Sequence, residues 1–159
     1  MPLLKEVMSS SCDLAQNIHD VKKEFPDYDF SLLDEFPTPE FWYIDILENE
    51  SLKENFMKQI NETFPNKEDA IKNAPALLAS LMKKEYPQEI EKAIDMNTRV
   101  TKAKAWLKEK VKEVPEDEFM AVVTHSRFLQ SFVSREYGAL GEFIGSRRFV
   151  NCEVFEYDL

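Results

Sequence analysis

Two histidines, His19 and His125, and two cysteines, Cys12 and Cys152, are the side chains whose ordinary chemistry best suits acid–base or nucleophilic work near neutral pH. His125 has the more telling setting. It lies in MAVVTHSRFLQSF (residues 120–132), after a short apolar run and before a helix-like spacing of Phe128, Leu129, Phe132 and Val133. An apolar run bounded by polar residues suits a buried strand, and Gly138 offers a stop for the helix that follows. The expected unit is strand, tight turn, helix, with Thr124, His125 and Ser126 at the turn. Ligands of open α/β sheets collect at that end of the strands, and the free N–H groups of a helix start attract anions. A histidine there can donate both ring N–H groups to an oxyanion or move a proton. Ser126, as the helix cap, would leave main-chain N–H groups for the anion. The competing reading is a histidine satisfied by backbone bonds and without chemistry.

The remaining candidates are weaker. His19 sits in QNIHDVKK beside Asp20, and Cys12, Asp13, His19 and Asp20 fit no metal-ligand spacing, so neither a metal nor another cofactor is expected. Cys152 reads as a small hydrophobe within a strand. With no CxxC spacing, both cysteines are expected as reduced thiols of a cytoplasmic protein. Glu6, at the end of the apolar run PLLKEV, could act as an acid if it were buried near His125. The three glycines, Gly138, Gly141 and Gly145, share one short window. No phosphate loop or dinucleotide fingerprint exists, so phosphate chemistry would fall to side chains and a helix end.

The elements that would position these groups follow from composition and pattern. A chain of 159 residues suits one domain, 1–159. Thirty acids against twenty bases give a net charge of −10, which argues against a nucleic-acid partner. No apolar run nears the roughly 18 residues of a membrane span, and the start lacks a signal-peptide pattern. Neither a membrane nor a nucleic acid is therefore expected as a partner. PLLKEV reads as a first strand. Seven of the nineteen aromatics fall between positions 25 and 43, in a stretch without periodicity that could pack as a satellite cluster or form a lid over a pocket. Ser51 and Glu54 spell a capping box ahead of the stripe Leu52, Phe56, Ile60. Asn66 could cap a second helix, and Pro75 could begin another. Residues 87–111 read as a third helix with Ile90, Ala93, Ile94, Val100, Ala103, Leu107 and Val111 on one face and a solvated charged face opposite. Residues 148–157 (RFVNCEVFEY) alternate like a strand. Strand, helices, strand, helix, strand is an α/β order.

Three of these segments together resemble the histidine phosphatase superfamily, the phosphoglycerate mutase-like proteins. PLLKEVMSSSCDL is similar to a family strand ending in a Leu-Arg-Glu-like triplet, with Lys5 where arginine is common. AVVTHSRFLQSF resembles the strand and helix that carry the second active-site histidine, though Ser126 replaces the usual glycine and Arg127 is bulky there. FVNCEVFEYDL resembles the closing strand, and the helix with Arg99 and Val100 resembles the one before MAVVTH. The resemblance implies a three-layer α/β sheet with flanking helices, incomplete because the first strands are missing. It implies Glu6 as proton donor and His125, with Ser126, at a phosphate pocket. The family's phosphorylated histidine lies in an Arg-His-Gly motif that precedes the segment matched by PLLKEV, and no Arg-His-Gly occurs in this chain. The implied function is phosphoryl hydrolysis or transfer on a phosphorylated small molecule or phosphoprotein, if the missing segment is supplied. The alternative is a catalytically inactive interaction or assembly subunit, pairing with a partner chain or with itself along exposed sheet edges.

Overall fold

The computed structural model describes residues 1–8, 13, 15–85, 91–139 and 141–159. The described residues form six α-helices and one two-stranded antiparallel sheet. They divide into two compact units: Met1–Pro2 with Met8–Glu91, and Leu3–Val7 with Lys92–Leu159.

In the first unit, α1 (Ile18–Glu24) is capped by the Asn17 side chain, which accepts from His19 N. Short 3-10 turns and α2 (Trp42–Asp45) lead to α3 (Glu50–Thr63) and α4 (Lys67–Glu85). The α3 cap is Asn49, whose Oδ1 accepts from Leu52 N at 3.0 Å, so Ser51 lies inside the helix instead of capping it. Asn66 does cap α4, accepting from Asp69 N at 2.8 Å. That helix runs through Pro75 without a break. Leu52, Phe56 and Ile60 point inward as their spacing predicts, and meet Ala70, Ile71, Ala74, Leu78 and Leu81 of α4 in one core. Phe41 and Tyr43 are part of that same core, with Phe41 edge-on to Phe56 at 5.8 Å. Packing within this unit accounts for them. Met8 and Glu91 tie its two ends: Met8 N donates to Glu91 Oε2 at 3.1 Å and Glu91 N to Met8 O at 3.2 Å.

The second unit is built on α5 (Ala93–Val111) and α6 (Ser126–Phe132), with a hairpin of β1 (Glu136–Tyr137) and β2 (Phe143–Ile144). Residues 87–90, the expected start of the third helix, lie outside the described residues. Val7, Met96, Val100, Ala103, Leu107, Phe128 and Phe132 make the core. Ile94 and Val111, expected on that face, are 50% and 37% exposed. The inward stripe is instead centred on Met96, Val100, Ala103 and Leu107.

The expected three-layer sheet is absent among the described residues, and each expected strand shows why. Pro2 opens a 3-10 turn, Pro2–Leu4, where the first strand was read. Residues 119–124 form neither helix nor ladder, and none of their backbone groups has a hydrogen-bond partner among the described residues. Residues 148–157 turn instead of alternating: Glu153 N donates to Val150 O, and Cys152 has φ 61. Val150 and Val154 are left 73% and 92% exposed. A local β pattern marks a segment that fits a sheet, but a strand exists only where a neighbour takes its backbone hydrogen bonds.

Candidate functional site

Residues 3–7 of the first quoted motif and the described residues of AVVTHSRFLQSF and FVNCEVFEYDL fall in the second unit. Its organising group is Arg99, which is fully buried in α5. Its Nη1 donates to the carbonyls of Leu3 and Lys5, each at 2.7 Å, and its guanidinium lies over the Phe128 ring at 5.6 Å. A buried guanidinium must have its donors met, and here the first residues of the chain meet them. Val7 then enters the core beside Val100 and Phe128. The Thr124 hydroxyl donates to the Leu4 carbonyl, and Ser126 Oγ to the Phe149 carbonyl at 2.9 Å. Three segments distant in sequence thus meet at the start of α6.

His125 is the N-cap residue of α6, with extended backbone (φ −108, ψ 158) and no capping hydrogen bond from its side chain. It is exposed. Ser126 is the first helical residue, not the cap, and its hydroxyl is already engaged with Phe149. The strand expected before it is the unladdered segment 119–124, and α6 ends at Phe132, short of the stop read at Gly138. Glu6 is half-buried, and its Oε1 accepts from Val7 N at 2.9 Å. The structure therefore ties the Thr124 side chain, next to His125, to the Leu4 carbonyl, while directing the Glu6 carboxylate to its own neighbour. A cavity of about 190 Å³ in this unit is lined by Lys104, Ala105, Lys108, Tyr157, Asp158 and Leu159, and includes none of Glu6, His125 or Ser126.

The other candidates scatter. His19 is exposed in the first turn of α1, in the first unit. Cys152 is an exposed free thiol at a turn, where an inward hydrophobe was expected; Cys12 lies outside the described residues. Among the described residues no cluster of His, Cys, Asp and Glu could hold a metal ion. No described helix is long and apolar enough to cross a membrane.

Sequence reasoning missed a polar chain inside this unit. Ser131 Oγ donates to Asn97 Oδ1 at 2.9 Å, Asn97 Nδ2 to Gly141 O at 3.3 Å, and Tyr137 OH to Ser131 O at 2.8 Å. Ser131 and Asn97 are both buried. The available signal was their spacing: Asn97 sits one residue from the Met96–Val100 stripe, and Ser131 stands between Phe128 and Phe132.

No known family's profile matches this chain, and no curated protein or solved structure matches it, so the likeness to histidine phosphatases stands on the quoted motifs alone.

Proposed function

We propose that residues 1–159 carry the acid and second-histidine side of a phosphoryl-transfer site of the histidine phosphatase kind. It would act on a phosphorylated small molecule or phosphoprotein once a nucleophilic histidine is supplied from outside these residues. The observation that supports the reading is the meeting of the three motif segments, through Thr124 with Leu4 and Ser126 with Phe149. In such a site Glu6 protonates the leaving oxygen, and His125 donates to the phosphoryl oxygens as negative charge builds on them. The chain alone lacks the phosphoryl acceptor, so it should not hydrolyse para-nitrophenyl phosphate or form phosphohistidine. The test follows the His125 imidazole signals by NMR during titration with orthovanadate. A saturable shift that the Glu6→Gln variant weakens is expected. A His125 signal that ignores vanadate at millimolar concentrations refutes the reading, as does turnover of the ester that is abolished by His125→Ala.

One observation favours a second reading, a non-catalytic assembly subunit. Phe119 and Val123 are 90% and 93% exposed on a segment outside any helix or strand, whose backbone is unpartnered among the described residues. Exposed β-prone edges of this sort take up another polypeptide strand. A photo-crosslinking residue placed at Val123 should give adducts of discrete mass in cells, and the same residue at Val111 should not. Equal labelling from both positions argues against this reading.

A further inference from the structure

His125 is held on both sides and open at its tip. The Thr124 hydroxyl donates to the Leu4 carbonyl, and Ser126 Oγ donates to the Phe149 carbonyl at 2.9 Å. The ring between them is exposed and has no hydrogen-bond partner among the described residues. Two neighbouring side chains are thus committed to holding the chain around a histidine that the unit itself does not use. Leu4 is placed by the two carbonyls beside it, which Arg99 holds. Phe149 is placed by the loop from Arg147 to Glu153.

That loop is closed on itself. The Arg147 guanidinium pairs with the Glu153 carboxylate and lies over the Phe149 ring at 4.4 Å. A planar guanidinium suits this double task, since its edge takes the carboxylate while its face covers the ring. Arg147 Nη1 also donates to the Arg148 carbonyl at 3.3 Å. Glu153 N donates to Val150 O at 3.2 Å, and Glu153 Oε2 accepts from Val150 N at 3.0 Å. The last bond matters most for His125. Val150 N–H and the Phe149 carbonyl belong to one peptide plane, which is trans, so they point in opposite directions. Glu153 holds one end of that plane and Ser126 is bonded to the other. The grip of Glu153 on the N–H therefore aims the carbonyl that receives Ser126.

We infer that Glu153, with Arg147 fixing its carboxylate, is a positioning residue for His125 that acts through the Phe149–Val150 peptide and Ser126, an inference that rests on the phosphoryl-transfer reading for what His125 does but not for how it is held. Ser126 then serves the site through its bond to Phe149 and not as a ligand of the phosphoryl group. The buried Phe149 ring, 4.9 Å from that of Phe155, fixes where residue 149 sits. It does not fix how the following peptide plane is turned, and that is the part Glu153 supplies.

A mutant cycle in the full chain tests the route. Glu153→Ala, Ser126→Ala and the double variant are compared by NMR relaxation of the His125 ring and by its titration with orthovanadate. If Glu153 acts through Ser126, removing both does no more than removing either. Each single variant should weaken vanadate binding by roughly fivefold, the scale of one exposed charged contact, and loosen the ring to the same degree. The double variant should match them. Glu153→Gln, which keeps an acceptor for Val150 N–H, should recover most of the loss. Helical circular dichroism and Trp106 fluorescence should stay those of the parent. Additive losses from Glu153→Ala and Ser126→Ala overturn the inference, as does a His125 ring whose relaxation and titration Glu153→Ala leaves unchanged. If the parent itself ignores vanadate, the phosphoryl-transfer reading falls and ring relaxation alone decides. Added motion that is equal in both singles and the double then keeps the inference, and unchanged or additive motion overturns it.

Discussion

Replacing Arg99 with methionine tests whether the buried guanidinium holds the start of the chain in place. Methionine keeps the side-chain length and its contact with Phe128 but leaves the Leu3 and Lys5 carbonyls without their donors. Each buried carbonyl deprived of a partner costs about 1–3 kcal/mol, and the lost cation–π contact adds about 1 kcal/mol. Against this, the variant escapes the cost of keeping a guanidinium out of water, which is several kcal/mol in a buried site. The net expected destabilisation is about 1–3 kcal/mol. For a chain of this size that lowers the melting temperature by roughly 2–12 °C. Trp106, packed at the core of this unit, reports the transition by fluorescence in urea. Amide exchange should also speed up at Glu6 and Val7. Arg99→Lys, which keeps the charge but loses the fork that reaches two carbonyls, should recover only part of the loss. A methionine variant as stable as the parent, with exchange at Glu6 and Val7 unchanged, would show that the desolvation cost wins and that the carbonyl bonds do not anchor the segment.

Burial raises the Tyr43 phenol above its ordinary value. Its neutral form therefore contributes stability that is present below the unfolded value of about 10 and is lost as pH rises beyond it. The urea midpoint should fall more steeply between pH 10 and 11 for the parent than for Tyr43→Phe, and matching slopes would exclude Tyr43 as the cause. Cys152 is exposed and holds a left-handed backbone at φ 61, so Cys152→Gly should stabilise by about 0.5–1 kcal/mol; a loss of stability on chemical denaturation would contradict that. At Gly141, φ is +88 and an added Cβ would lie 2.7 Å from Ile94 N. Gly141→Ala should cost at least about 2 kcal/mol, measured the same way, and a neutral effect would mean that the 138–142 loop is not fixed against α5.

The helical half of this chain was legible because helix signals are local. The 52/56/60 stripe predicts the inward face of α3, and Asn66 predicts the start of α4, from residues within one or two turns. Ser51 misled because Asn49, two residues earlier, accepts from Leu52 N and starts the helix there. The strands were not legible, since MAVVT and RFVNCEVFEY carry β-prone residues without carrying any statement of what pairs with them. The candidate site divides in the same way. The position of His125 at the start of a helix follows from local spacing. The burial of Arg99 could not be read from a helix rich in charges, because what makes it tolerable is a set of carbonyls some ninety residues away in sequence.

The Ser131–Asn97 pair determines how far α6 can shift along α5. Contacts among Val100, Ala103, Leu107, Phe128 and Phe132 are non-directional and would survive a slip of one helical turn with modest repacking. A hydroxyl and an amide enclosed by those side chains would not, because the slip would leave both polar groups without partners in a space that water does not reach. The same Ser131 receives Tyr137 from the hairpin, and Asn97 reaches Gly141 beyond it. Docking the two helices one turn out of step would therefore release the hairpin as well. Closure of the hairpin then reports that the helices have found their single alignment, and the transition into this unit should be all-or-none, with no population of slipped, partly ordered forms.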